Sequence, residues 1–409
     1  MAPLVLAYWV LCCFPGHALA KRAGWIEPEH SLLSRIALSY LALFAVVAVL
    51  AGAAYLGHLP LWTLGTVMVL LIVLGVADSL AAIWRSRASF RLSALDPVAV
   101  IGWSVLLADL WLGIVRGGHL GGDAAFHISR VRMLVDHGFN NWDPYIDGPF
   151  FSRVYHTNVY HALLAVAAQL ARVEPIDAWL WTLPFAKLVV AAGTFHVAWT
   201  VLRQRALAWF ATIYMIVQIA PLAYLLYPNK LSGFWLFPMV VSAMVALWEE
   251  ERPPLTAASV LAAGVLVLAH VHPLYAVFAC LTVAPIFGLR WLWRLSRRGP
   301  TRAPLFAMLA LLFCMPALLV TKLAPTVPAD TKVQPPPAVT LDAGAQAVLH
   351  QRSKAVQPGA QKGFAYYGKH GFALDPARYL KPVAWVPFAA LLLGLFSTRR
   401  RAFMALGSV

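Results

Sequence analysis

The sequence is short of charge. Only 12% of its 409 residues are Asp, Glu, Lys or Arg, about half the share of an ordinary soluble domain, while 61% are apolar. That balance leaves far more apolar surface than one water-surrounded core buries, which excludes a soluble enzyme and a disordered chain. Acidic residues are scarcest, 17 against 32 Lys and Arg. Cysteine is scarce too. Cys12, Cys13, Cys280 and Cys314 all sit in apolar runs, so the chain is no disulfide scaffold. It has no HExxH pair, no internal repeat and no low-complexity tail.

What is present is a series of long apolar runs, at roughly 1–20, 31–56, 60–84, 97–115, 177–202, 206–227, 231–248, 254–271, 273–294, 303–325 and 381–397. At about 20 residues per span, these predict an all-α polytopic membrane protein with about 11 transmembrane helices, a single integral-membrane domain over 1–409. Ala18-Leu19-Ala20 resembles a signal-peptidase site, but no Lys or Arg precedes the first run and Lys21-Arg22 follow it, so a retained span is expected. Ala402-Phe403-Met404-Ala405-Leu406 reads as the start of a further span, as in a C-terminally truncated chain.

Basic clusters fall at every second connection: Lys21/Arg22, Arg85/Arg87/Arg91, Arg203/Arg205, Arg290 to Arg302 and Arg399 to Arg401. The positive-inside bias places them in the cytoplasm, of a plasma (inner) membrane in the expected setting, and accounts for the +15 formal charge without a nucleic-acid partner. Two polar segments, 116–176 and 326–380, then become extracytoplasmic loops. Asp78, Asp109, Lys187 and His196 lie inside spans, where ionisable groups are costly and point to function unless they pair for packing.

The first polar segment opens with Gly117-Gly118-His119-Leu120-Gly121-Gly122. Asp123 follows as the expected N-cap of a helix running to about His137, with Gly138 beyond it. His127 and Arg130 lie four and seven residues on and share a face with Asp123; Val131, Leu134 and Val135 are expected to pack on the bundle. A carboxylate there suits a general base or a metal ligand, and the Arg130 fork suits phosphate oxygens. Trp142-Asp143-Pro144-Tyr145 and Tyr155-His156-Thr157-Asn158-Val159-Tyr160-His161 supply rings for sugar stacking or an interfacial belt. His270 and His272 flank a turn on the same side. With His127, His156 and His161 they offer imidazoles for a divalent metal or for donor phosphate and sugar hydroxyls.

The pattern Gly-Asp-x-x-x-His-x-x-Arg from Gly122 to Arg130, followed by Trp-Asp-Pro-Tyr at 142–145, resembles the first-loop motif of the GT-C integral-membrane glycosyltransferases. The resemblance covers roughly 117–205. It implies a GT-C-like fold and transfer of a sugar from a polyprenyl-phosphate donor to a lipid, glycan or protein acceptor outside the cytoplasm. Asp123 falls on the place of the catalytic acid. Donor and acceptor binding would draw on His127, Arg130, Asp143, Tyr155, His156, His161, Lys230, His270 and His272. Arg352 and Lys354 of the second loop are further phosphate candidates. No cofactor is implied with certainty, a divalent metal being the one option. Membrane lipids are partners by necessity.

The chain departs from the family pattern in two ways. More spans precede this loop than the one common in the superfamily, and a second acid has no clear counterpart. Glu174 and Asp177 are the nearest, with Asp143 and Asp147 as others, and Tyr227-Pro228-Asn229-Lys230 holds no carboxylate. A multipass transporter or lipid flippase is the main alternative, although no paired broken helices or halved repeat support it. A catalytically inactive scaffold of the same fold is the other.

Overall fold

A computed structural model describes residues 2–86, 96–118, 120, 123–139, 157–218, 223–250 and 253–322. The described residues are helical and contain no strand. Four long helices come first: α1 (Ala2–Arg22), α2 (Leu32–Leu56), α3 (Leu61–Ser86) and α4 (Pro97–Arg116). Three short ones follow, α5 (Ala124–His137), α6 (Val159–Ala171) and α7 (Pro175–Trp181), then α8 (Leu183–Leu202) and α9 (Arg205–Gln218). A 3-10 turn at Ala223–Leu226 leads into α10 (Pro228–Leu231), a π-helical turn at Ser232–Leu236 and α11 (Phe237–Glu249). The described part ends with α12 (Pro254–Val271), α13 (Pro273–Ser296) and α14 (Arg302–Lys322).

Local chemistry sets these boundaries. Ser31, Asp96 and Asn158 each turn a side-chain oxygen onto a first-turn N–H of α2, α4 and α6. Pro97, Pro175, Pro228, Pro254 and Pro273 open their helices, where the missing N–H costs nothing.

Among the described residues, eight helical segments are long and apolar enough to cross a membrane: Pro3–Arg22, Leu32–Leu56, Leu61–Trp84, Pro97–Arg116, Pro175–Leu202, Pro228–Glu249, Pro254–Val271 and Pro273–Ser296. Each matches an expected run. Of the other three runs, 206–227 is helical over Arg205–Gln218 with a separate 3-10 turn after it, and 303–325 is α14. The run at 381–397 and the second polar segment lie outside the described residues.

Helices α2, α8, α11 and α12 form the packed centre. α3, α4 and α13 stand at the edge, with only 11–22% of their most apolar windows buried. Their outward Leu, Val and Trp side chains face where lipid would be. Trp62 and Trp84, near opposite ends of α3, are 62% and 75% exposed. At 1.5 Å per residue they stand about 33 Å apart, close to a bilayer's hydrocarbon thickness, which suits an aromatic belt at each interface.

Contacts between helix ends sort the bundle into two faces. On one, Arg22 pairs with Asp78, Arg205 with Asp96, and Arg290 and Arg294 with Glu250, while Trp25 donates to Ser259. On the other, Gly118 N donates to Leu180 O and Asn158 Nδ2 to Val271 O. For the clusters at Lys21/Arg22, Arg203/Arg205 and Arg290 to Arg302 the packing follows the expected alternation, while Arg87, Arg91 and Arg399–Arg401 lie outside the described residues. Lys21, Arg22, Arg203, Arg205 and Arg290–Arg302 share the first, basic face.

The first helix is part of the bundle. Trp9 Nε1 donates to Thr182 Oγ1 at 2.8 Å, its ring stacks on Phe185 at 3.8 Å, and Tyr40 Oη donates to the Trp9 carbonyl. Backbones meet closely on both sides of it. A Cβ on Gly16 would come within 2.1 Å of the Ser39 carbonyl oxygen, and one on Gly75 within 2.4 Å of the Pro15 nitrogen. Both obstacles are main chain, which cannot swing aside. Gly16→Val and Gly75→Val are each expected to destabilise by roughly 1–3 kcal/mol or more. Gly288→Val, whose Cβ meets nothing within 4 Å, should leave thermal stability in detergent nearly unchanged. Equal melting temperatures in all three would overturn the expected dependence of stability on Gly16 and Gly75.

Candidate functional site

The described part of the segment expected as the first loop is mostly helical. Helices α5, α6 and α7 pack on one another and over the α1–α3 part of the bundle, on the face opposite the basic one. Gly117 leaves α4 with φ +67°, and Gly118 lies where a Cβ would strike Leu226 Cδ1 at 2.2 Å. Gly138, with φ +70°, ends α5 against Leu59 and Pro60.

Asp123 occupies the N-cap position of α5 but its carboxylate makes no capping hydrogen bond, and the residue is exposed. The expectation of a side-chain cap therefore fails, and the carboxyl group stands clear at the surface. The expected separation of the Asp123, His127 and Arg130 face from the bundle-packing positions Val131, Leu134 and Val135 also needs correction. His127 and Arg130 are buried, on the same stripe as Val131 and Leu134. The reason is geometric: Leu134 follows His127 by seven residues and Arg130 by four, so all three share a side of the helix. The stripe read as two faces is one.

Below Asp123 lies an aromatic cluster. The His127 ring stacks on Trp179 at 5.6 Å and meets Tyr227 edge-on at 5.5 Å. His127 Nδ1 and His161 Nε2 are 3.0 Å apart, so one ring donates an N–H and the other accepts. Burial, with a smaller contribution from nearby His272, holds His127 down at about 3. Burial, then His127 and Arg130, holds His161 low as well. Burial thus disfavours the charged form of both rings, and an N–H···N bond needs only that the accepting nitrogen be unprotonated.

Further locks tie this layer to the bundle. Asn158 Oδ1 accepts from His161 N while its Nδ2 donates to Val271 O at 2.8 Å. His270 Nδ1 lies 3.1 Å from the Thr157 carbonyl. His272 sits half-buried at the α12–α13 turn, edge-on to Tyr275. Lys230 is half-buried in α10, one turn after Tyr227. Thus His127, Arg130, His161, Lys230, His270 and His272 do converge on one end of the bundle. Sequence reasoning missed Trp179 and Tyr227, which wall His127, because their part depends on helices brought together only by folding.

Of the second-acid candidates, Glu174 is engaged with Arg132 at 2.6 Å, both exposed, and Asp177 lies half-buried in the first turn of α7. Asp143, Asp147, Tyr155, His156, Arg352 and Lys354 lie outside the described residues. No group of three or more His, Cys, Asp or Glu suited to a metal ion occurs among the described residues. Asp109 and Lys187 pair with each other between α4 and α8, both buried, which is the packing reading of these two charges.

A groove of about 580 Å³ opens sideways along α13, lined by Phe237, Tyr275, Phe278, Leu281, Pro285 and Ile286 among others. Its Tyr275 end abuts the π-helical turn, where a Cβ on Gly233 would come within 2.9 Å of Tyr275 Oη. Asp123 does not line it.

The His127 pair carries a pH expectation. Its folded value, about 3, lies below the ordinary imidazole value near 6.5. Between those values the unfolded chain binds more protons, so stability is complete above about pH 6.5 and falls as pH drops toward 3. Thermal unfolding in detergent should show a midpoint that declines from pH 7.5 to pH 5, and a shallower decline in His127→Phe. Identical slopes would remove His127 from the account.

No protein-family model, no curated protein and no solved structure matches the chain.

Proposed function

We propose that the chain is an integral-membrane glycosyltransferase of GT-C type, with its basic face in the cytoplasm and Asp123 at the opposite membrane surface. The observation that carries the reading is Asp123 itself: an exposed carboxylate without a capping bond, seven residues after the end of a membrane-length helix at Arg116 and at the start of a short helix. In the reaction, Asp123 accepts the proton of the acceptor hydroxyl as that oxygen bonds to the anomeric carbon. The polyprenyl phosphate leaves with the electrons of the broken glycosidic bond and needs a cation beside it.

A path between the two halves of such a donor supports this. Asp123 is one turn from His127, which touches Tyr227; Lys230 is one turn beyond Tyr227, and Gly233 beyond that abuts Tyr275 at the groove. A prenyl chain in the groove and its phosphate at Lys230 put the sugar on the Asp123 side. The groove supplies the apolar wall and Lys230 the charge.

Purified protein incubated with a panel of polyprenyl-phosphate sugars and lipid, glycan or peptide acceptors is expected to consume one donor and release polyprenyl phosphate. No consumption of any donor, together with movement of a labelled lipid or solute across proteoliposomes, would replace this reading with the transporter one. Orientation has its own test. Ala125→Cys on α5 should react with a membrane-impermeant thiol reagent added to intact cells, and Ser296→Cys should be protected. The reverse pattern would invert the chain and remove Asp123 from the outer surface.

A further inference from the structure

We propose that the turn between α13 and α14 is a binding site for anionic phospholipid headgroups, independent of the activity proposed above. Five arginines crowd this turn: Arg290, Arg294, Arg297, Arg298 and Arg302. They divide into two kinds. Arg290 and Arg294 are occupied inside the protein: both meet Glu250, at 2.9 and 2.5 Å, and the Arg290 guanidinium lies 4.3 Å from the Trp248 ring centroid. Arg297, Arg298 and Arg302 are exposed and form no ion pair among the described residues.

The turn that presents these three is held in shape. Arg294 Nη1 donates to the Pro300 carbonyl at 2.7 Å, and Gly299 N donates to the Arg294 carbonyl at 2.8 Å. Arg298 takes a left-handed φ of +51° at the bend. Arg294 thus spends its charge on Glu250 and on closing the loop, and the three arginines around the bend project past it.

What lies beside them selects the ligand. Leu289, Leu292, Trp293 and Leu295 are 51–68% exposed on the last turns of α13, and the Arg297 guanidinium lies 5.9 Å from the Trp293 ring centroid. An apolar, Trp-edged strip running directly into three guanidiniums that have no ion pair among the described residues matches a phospholipid: acyl chains along the strip, phosphate and anionic headgroup at the arginines. A soluble phosphate compound would use the charges and leave the strip unexplained. A cluster that served only to orient the chain would have no need of a braced turn.

The test uses the full chain in mild detergent, delipidated and titrated with phosphatidylglycerol or phosphatidylcholine, with bound lipid counted by native mass spectrometry. Phosphatidylglycerol should bind at least about tenfold more tightly, since each arginine near an anionic headgroup contributes a severalfold preference. The variant carrying Arg297→Gln, Arg298→Gln and Arg302→Gln together should lose most of that preference. A second variant, Arg297→Lys, Arg298→Lys and Arg302→Lys, keeps the charge and should keep most of it. Equal affinity for the two lipids in the unaltered protein overturns the site. So does a preference unchanged in the glutamine variant, or competition by millimolar inorganic phosphate as effective as that by phosphatidylglycerol. If the glutamine variant does not fold, loss of preference at high salt in the unaltered protein decides the matter, and persistence there overturns it.

Discussion

Asp123→Asn is expected to abolish most donor turnover, by roughly two orders of magnitude or more, while leaving the fold intact. Asn caps helices as well as Asp does, so a purely structural role predicts no change. The geometry sharpens this contrast, because the Asp123 carboxylate makes no capping bond that the substitution could disturb. Stability of the variant should equal that of the parent within measurement, and kcat should fall far more than KM rises. A variant with full turnover and unchanged melting would end the assignment of Asp123 as the base. The companion change Glu174→Gln should have little effect on turnover, since that carboxylate is engaged with Arg132 at the surface. Exposed pairs of this kind contribute little to stability either.

The second large effect is expected in the interior. Asp109 and Lys187 are buried against each other between α4 and α8, and the Lys187 stem runs across Gly113, whose missing side chain makes room for it. Removing one partner leaves a charge buried without compensation. Asp109→Leu and Lys187→Met should each cost about 3–5 kcal/mol, read as a large drop in melting temperature or a loss of folded protein. Making both changes at once removes the uncompensated charge and is expected to restore most of the loss. That recovery separates a packing pair from a transport site. If the double variant is stable but loses a measurable transport activity, the pair serves the transporter reading instead.

The sequence disclosed the membrane-length helices and the two-faced arrangement because both follow from local quantities. A run such as Leu32–Leu56 is long and apolar whatever surrounds it, and the placement of Lys21, Arg203 and Arg290 alternates along the chain before any packing is known. Asp123 was legible for the same reason, as a carboxylate between a glycine-rich break and a helical pattern. The folding of α5 to α7 was not. Val159–Ala171 is apolar but only 13 residues long, too short to span, and a run of that length fits a buried helix as well as a loop. Its contact with α2, α3 and α12 is a tertiary fact. The burial of His127 and Arg130 was open to a helical-wheel count, since both share a side with Leu134. The walls that Trp179 and Tyr227 build around His127 were not open to any count, because they join residues about 50 and 100 positions away through non-local packing.

The bond from Trp9 to Thr182 joins residues 173 apart in the chain. At the usual pace of roughly 5–20 residues per second, the ribosome needs on the order of ten to thirty seconds between making one and making the other. Through that interval the first helix has α2 and α3 to lean on, with Gly16 and Gly75 allowing the backbones to touch, but the Trp9 indole N–H has no hydroxyl to meet. The amino-terminal three helices must therefore be stable enough as a nascent trio to wait in the bilayer. Biogenesis, more than the finished protein, is where substitutions at Gly16 and Gly75 would be felt first, as chains degraded during insertion before α8 arrives to complete the core.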